Sequence, residues 1–568
     1  VQRPRGRLRR LVLPLFITLV ILIALLFALA WIPLTRSRDA WLHGNDAAAI
    51  AGGEQWSRLH LWPAQYHQLL AAAYLTSGNT GAARAHLGGI GDIRLSVIAK
   101  DDVARRLFAR ERYDDFLAYD AASRDANENA DVPLYRAAAL VATNRVAEAQ
   151  KAFASIDRNH VNPSRFASLQ RNVAARAAGD APYVFDRNGG AVATIRANEV
   201  IAINGDFAPI INREAGALTI GAKLPQLGAN ASIETTLDPF VQKAALKALT
   251  GFRGSLVAID PRTNEILAIA SSPGKGPLAN LAIEHQYEPG SVVKVLTGLN
   301  AESGGVDVAS LFPYTCKGFL DIDGRHFGDW LAAGHGTLNS IDDALAVSCN
   351  VFFADVGLRL GVDRLTRFMT AAGFNGQAEL GVFQVPLGKT VGQAFNHFET
   401  AFLAIGLEHE SMNALHVAMI ASMMANRGEL TTPKLLVQRR SILGDVVATA
   451  PKQGSTRLAS PAAAETMVHA MEAVATEAKG TGRRAPVAGI SLAMKTGTAG
   501  ERKSGLEALI LAFAPVQSPK IAFGVIAEDA GPAEFAGAKI AHDFLEAMSP
   551  RLKSDLRGAR EARTASSN

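Results

Sequence analysis

The sequence predicts an α/β protein: an antiparallel sheet flanked by helices, with an all-α, repeat-like N-terminal region and one N-terminal transmembrane helix. Three observations predict it. Residues 11–34 carry no charge. Residues 40–180 are rich in Ala, Leu and Arg, with apolar positions at helical spacing. Beyond Asp238, two strand-like runs, a long and mostly helical insertion, three further strand-like runs and a helical terminus follow in order. The composition agrees: 568 residues, 48% hydrophobic and 20% charged, exclude global disorder and accommodate roughly three to four domains of about 150 residues. Lys+Arg 58 against Asp+Glu 53 gives +5, and Arg3, Arg5, Arg7, Arg9 and Arg10 account for all of it. The basic excess is a tail and not a face, which argues against nucleic acid as a partner. Two cysteines, Cys316 and Cys349, are too few for a disulfide framework or a Cys-rich metal site.

Residues 1–10 read as a cytoplasmic basic tail and 11–34 as an uncleaved anchor. At 1.5 Å per residue the run spans about 36 Å, enough to cross a hydrocarbon core of about 30 Å with some tilt. The positive-inside bias keeps the N-terminus cytoplasmic and sends the rest of the chain across the membrane. Ala28-Leu29-Ala30 has the small-x-small pattern of a signal-peptide cleavage site. The apolar stretch is too long for a signal core, however, and Trp31-Ile32-Pro33 makes a poor mature start.

Residues 40–180 show a weak repeat. Leu75-Thr-Ser-Gly-Asn, Leu107-Phe-Ala-Arg-Glu and Leu140-Val-Ala-Thr-Asn each close one apolar helix and precede another, near the 34-residue tetratricopeptide period. A solenoid would present a partner-binding face; a plain helical bundle acting as a spacer is the alternative. Residues 183–235 change to short β-like runs broken by Asn188-Gly189-Gly190 and Asn204-Gly205, a connector or pedestal.

From 237 to 549 the pattern becomes chemical. Ser255–Asp260 and Glu265–Ala270 are strands joined by the turn Pro261–Asn264, and Ile490–Gly497, Ala508–Pro515 and Lys520–Glu528 are three more before a helix at Ala533–Met548. Within this frame lie Ser291-Val-Val-Lys294, Ser348-Cys-Asn350 and Lys495-Thr-Gly-Thr498. Each is weak alone, since Ser272-Pro-Gly-Lys275, Ser77-Gly-Asn79 and Ser566-Ser-Asn568 also fit. Context separates them. Ser272 stands in a Pro/Gly loop, whereas Ser291 opens an apolar helix on which Lys294 lies one turn on. A serine hydroxyl needs a base, and a lysine amine serves only if desolvation or a second cation lowers its pKa; Lys495 would be that cation. At the helix start the Ser291 N–H is free to stabilise an oxyanion.

Tyr287-Glu-Pro-Gly-Ser291-Val-Val-Lys294, Ser348-Cys-Asn350 and Lys495-Thr-Gly-Thr-Ala499, in this order and separation, resemble the transpeptidase domain of the penicillin-binding proteins, in particular the high-molecular-mass class B members. The resemblance implies a membrane-anchored peptidoglycan D,D-transpeptidase of the bacterial inner membrane, single-pass, with an extracytoplasmic catalytic domain. Its substrates would be peptidoglycan stem peptides, and β-lactam antibiotics would acylate it. Partners in cell-wall synthesis, a glycosyltransferase or elongation or division proteins, would dock through residues 40–180. Ser291 would attack the penultimate D-alanyl carbonyl, Lys294 would act as base, Ser348 would relay protons to the leaving D-alanine and Asn350 would bind the substrate amide. Lys495 and Thr496 would hold the terminal carboxylate, Gly497 would permit close approach and Thr498 N–H would complete the oxyanion hole. No cofactor and no metal are expected, because the histidines show no ligand spacing such as HExxH.

Several positions depart from the family pattern. Gly406-Leu-Glu408, Asn413-Ala-Leu-His416 and Met494 replace usual motif residues, and Phe327-Gly-Asp-Trp330 stands where relatives have Phe-x-Cys-Trp, leaving Cys316 without that partner. Cys349 is expected to be a packed side chain and His335 a structural one. Residues 550–568 read as a flexible tail. A D,D-carboxypeptidase or β-lactamase-like hydrolase, and a non-catalytic scaffold or β-lactam sensor, remain the alternative functions.

Overall fold

The structure, a computed structural model, describes residues 6–93, 95–125, 128–381, 383–390, 396–501 and 505–565. Arg3 and Arg5 of the basic tail, and the Ser566-Ser-Asn568 match, lie outside the described residues. The chain divides into two compact units, 1–181 with 440–447, and 182–439 with 448–568.

The first unit begins with the helix Gly6–Leu42. Among the described residues its portion Leu13–Leu42 is the one helix long and apolar enough to cross a membrane. Three helical hairpins follow: Pro63–Ser77 with Thr80–Leu87, Lys100–Phe108 with Tyr113–Ala122, and Val132–Ala142 with Val146–Ala154. Each turn carries a left-handed residue, Gly78, Glu111 and Asn144. In each the next N–H reaches back to the helix before it: Asn79 to Tyr74 O, Arg112 to Leu107 O and Arg145 to Leu140 O. The periodic leucines of the sequence therefore mark equivalent turns. Arg112 ties successive turns together by donating to Thr80 Oγ1 at 2.7 Å and to the Leu75 carbonyl. Ile442 and Leu443, far away in sequence, join the apolar core of this unit.

In the second unit a five-stranded antiparallel sheet runs in the order Ala493–Glu501, Gly505–Ala514, Ile521–Glu528, Arg253–Asp260, Glu265–Pro273. Alternation sends neighbouring residues to opposite faces. Phe523 stacks edge-on against Phe544 of the terminal helix, whereas the next position, Gly524, faces Ala414 and Ala418 of the buried helix Ala414–Ala425. The strand Ala493–Glu501 starts later and runs further than the sequence suggests, because pairing with Gly505–Ala514 extends to Glu501. The terminal helix is Ala536–Ala565 and includes most of the segment expected as a flexible tail. Residues 182–235 contribute four adjacent strands to a second sheet, in the order Ala231–Thr235, Pro182–Phe185, Ala191–Arg196, Glu199–Ala202.

A buried ion network locks the hairpins of the first unit. Asp120 accepts from Arg136 at 2.5 and 3.0 Å and lies 3.1 Å from Lys100 Nζ, which also donates to Ser123 O at 2.7 Å. Removing the shared anion leaves both cations with Glu128 alone, 3.6 Å from Lys100 Nζ and 2.5 Å from Arg136. With Glu128 still in place, Asp120→Ala is expected to destabilise this unit by about 2–3 kcal/mol, read as a lowered first transition in thermal unfolding of the full chain. Asp120→Glu should retain most of the stability.

Candidate active site

Ser291 sits in a 3₁₀ turn, Gly290–Val293, that runs directly into the helix Lys294–Asn300. The turn is held from both ends. Tyr287 exchanges backbone hydrogen bonds with Met412 at 2.9 and 2.8 Å, and its hydroxyl donates to Glu528 at 2.6 Å. Gly290 N–H donates to Gly406 O at 2.8 Å, and Glu408 N–H to the Glu288 carboxylate at 3.0 Å. The unusual Gly406-Leu-Glu408 stretch thus supports the Ser291 turn, with Leu407 lining the cleft. Gly290 adopts φ +52°, and a Cβ there would meet Thr498 O at 2.7 Å, so glycine is required on both counts.

Beneath Ser291 the sequence-predicted lysines converge. Lys294 Nζ donates to Ser348 O at 2.8 Å, Ser348 Oγ at 3.2 Å and Asn350 Oδ1 at 2.5 Å. Lys495 Nζ donates to the same Ser348 Oγ at 2.8 Å and to Thr496 O at 2.8 Å. Both lysines are 0% exposed. Burial lowers Lys294 to about 8 despite the opposing charge of Asp329. Burial, with the Lys294 charge added, pushes Lys495 well down. Two ammonium groups sharing one hydroxyl in a dry pocket favour loss of a proton.

Ser348 reaches this position from a tight turn between the helices Ile341–Ala346 and Asn350–Leu360. It holds φ +56°, a conformation rare for a non-glycine residue, and the turn is fixed by Trp330 Nε1 donating to Val347 O at 3.1 Å. Cys349 is buried, as expected, and caps the following helix by accepting from Phe352 N–H.

Lys495, Thr496, Gly497 and Thr498 lie on the edge strand of the five-stranded sheet, which packs against the Ser291 turn. The approach is close: a Cβ on Gly497 would fall 2.7 Å from Pro289 O. Thr496 Oγ1 pairs with Thr481 Oγ1 at 2.7 Å, and Thr498 Oγ1 accepts from Ala533 N–H at 3.0 Å. A cleft of about 820 Å³ is lined by Ser291, Ser348, Asn350, Thr496 and Thr498, and also by Thr481, Trp330, Leu407 and Asp529. Met494, the departure before Lys495, is buried over Gly482 and does not line the cleft.

Sequence reasoning missed Asp329 and Thr481. Asp329 accepts from Val351 N–H at 3.2 Å and pairs with His335 at 3.2 Å. Burial works against its charge, but these partners and the nearby Lys294 cation hold it at about 2. Its signal was the displaced Phe327-Gly-Asp-Trp330 pattern. Thr481 left none, because only folding brings it to the edge strand. Cys316, Asp329 and Cys349 also place their donor atoms within 4.8 Å of one another. Such a thiol and carboxylate set, brought together from separated positions, could hold a divalent cation. The discarded Ser272 is remote from this chemistry and donates instead to Phe252 O at 2.8 Å.

Comparison with known proteins agrees with this architecture. The family model described as penicillin binding protein transpeptidase domain matches residues 254–549. The peptidoglycan D,D-transpeptidase PbpA of Mycolicibacterium smegmatis is 31% identical over 338 residues, covering 53% of this chain and 68% of that protein. The peptidoglycan D,D-transpeptidase MrdA of Acinetobacter baumannii is 29% identical over 357 residues, covering 55% of this chain, which spans about half, 52%, of its length. Among solved structures, the D,D-transpeptidase domain of a peptidoglycan glycosyltransferase from Eggerthella lenta superposes with TM-score 0.58 at 22% identity, covering 66% of this chain and 99% of that one. The ceftriaxone acyl-enzyme of penicillin-binding protein A from M. tuberculosis does so with TM-score 0.56 at 23% identity, covering 65% and 98%. With the model covering more than half of the sequence, from the first strand of the central sheet into its terminal helix, the chain belongs to the penicillin-binding protein transpeptidase family.

Proposed function

We propose that the protein is a membrane-anchored peptidoglycan D,D-transpeptidase that cross-links stem peptides through an acyl-enzyme on Ser291 and is acylated there by β-lactams. The observation that carries this reading is the convergence of two fully buried lysines on Ser348 Oγ, directly behind the serine-lined cleft. A neutral Lys294 takes the Ser291 proton as Oγ attacks the D-alanyl carbonyl. The C–N bond to the terminal D-alanine then breaks, and the proton passes through Ser348 to the leaving amine. Asn350 holds the substrate amide, and the backbone N–H groups of Ser291 and Thr498 stabilise the oxyanion. An incoming carboxylate restores the Lys495 charge that burial disfavours, so Lys495 and Thr496 bind the terminal D-alanine as an ion pair. An amine from a second stem peptide resolves the acyl-enzyme, and Gly497 keeps the strand close enough for an extended peptide to lie along it.

The arginines before the anchor hold the N-terminus in the cytoplasm, placing the catalytic unit outside the bacterial inner membrane. Residues 40–180 form the docking region for cell-wall synthesis partners, residues 183–235 the pedestal and 237–549 the catalytic domain. With a D-Ala-D-Ala stem peptide and an amine acceptor, the purified chain should yield the amide-linked product. Release of free acid alone, even at high acceptor concentration, would mean a hydrolase; no adduct with penicillin would mean a scaffold.

The two lysines are not interchangeable with arginine, which stays protonated. Lys294→Arg is expected to slow penicillin acylation by about 10²–10⁴-fold, the usual contribution of a general base. Lys495→Arg keeps the cation and should lose far less. Stopped-flow acylation of both variants measures the split; equal losses would refute the separate roles.

A further inference from the structure

Charge in the sequence and geometry in the first unit together locate the membrane surface. A hydrocarbon core of about 30 Å that begins at Leu11, beside Arg10, ends near Trp31 at 1.5 Å per residue. Phe27 lies one turn inside that boundary. The loop 58–62, between the helices Asp46–Ser57 and Pro63–Ser77, folds back to this level. Trp62 Nε1 donates to Phe27 O at 3.1 Å, and the Trp62 ring packs edge-on against Phe27 at 5.7 Å and Trp31 at 4.9 Å. One turn later Tyr66 OH donates to Ala30 O at 3.2 Å.

Two non-glycine residues of this loop, His60 and Trp62, hold left-handed backbone conformations at φ +53° and +59°. Such conformations persist where surrounding structure requires them and often mark function. They aim Trp62 at the anchor and leave Leu59 54% exposed in the same loop, whose anchor partner Phe27 is itself 41% exposed. Arg58 and His60 are exposed in the same loop, a composition of aromatic and aliphatic groups with basic tips that suits the lipid boundary.

We propose that Leu59 and Trp62 form a second membrane contact, an interfacial wedge in the phospholipid headgroup–acyl boundary against Phe27 and Trp31. The partner is the bilayer itself, and the contact is continuous with the spanning helix. It seats the first helical hairpin on the lipid surface, so the anchor is not a free tether for this unit. The proposal rests on the reading of Leu13–Leu42 as a membrane span.

The test uses the full chain in nanodiscs of phosphatidylethanolamine and phosphatidylglycerol, with p-benzoylphenylalanine placed at Leu59 or, as reference, at Leu22. Thermal unfolding verifies that both proteins are folded. On illumination both are expected to gain the mass of one phospholipid, mapped to the substituted peptide. A lipid adduct at position 22 without one at 59 would overturn the wedge and leave the anchor intact. No adduct at either position would overturn the span, and the wedge with it.

Discussion

Two lysine side chains buried side by side are the constraint on which the catalytic unit depends. Lys294 and Lys495 have no exposed surface and share one hydroxyl. A buried cation carries a desolvation cost of several kcal/mol. Lowering Lys294 from 10.5 to about 8 corresponds to about 3 kcal/mol in favour of the neutral amine. The same burial that disfavours the charge leaves a neutral amine accessible closer to neutral pH than in an exposed lysine. Asp329 limits the effect, since its retained negative charge favours the Lys294 cation.

Everything around the pair serves to keep it dry and aligned. The edge strand delivers Lys495 from one side, the Ser291 turn delivers Lys294 from the other, and the strained Ser348 turn presents the hydroxyl between them. Trp330 fixes that turn through Val347, and Gly290, Gly406 and Gly497 allow the backbones to approach within a distance no side chain would permit. The antiparallel sheet supplies rigidity through extensive register between the strands that carry or buttress the site. Tyr287, through Glu528 on the sheet, holds the Ser291 turn in place.

Much of this was legible in the chain because its chemistry is local. Ser291 and Lys294 are one turn apart, Ser348 and Asn350 flank one residue, and Lys495–Thr498 is a continuous strand, so each piece carries its own signature. The three-strand meander and its terminal helix were visible from alternation and apolar periodicity, with boundaries shifted where pairing, not propensity, decides. Thr481 and the cluster of Cys316 with Cys349 were not legible, because their neighbours come from distant segments, and Asp329 left only the displaced Phe327-Gly-Asp-Trp330 pattern. The same reason hid the incorporation of Leu436–Ser441 into the second sheet and of Ile442 and Leu443 into the first unit's core. The helical hairpins were suggested by their leucines, but their equivalence rests on left-handed turn residues of three different types, which a sequence pattern does not reveal.

If a desolvated Lys294 activates Ser291, the pH dependence of acylation reveals it most directly. Lys294 is neutral only above its depressed pKa, so the protonated, inactive form dominates below about 8. The second-order rate of acylation by benzylpenicillin should therefore rise about tenfold per pH unit below that value and level off above it. Its apparent pKa should lie two or more units below that of an exposed lysine. A rate that is flat from pH 6 to 9, or that keeps rising to the ordinary lysine value of 10.5, would contradict the account.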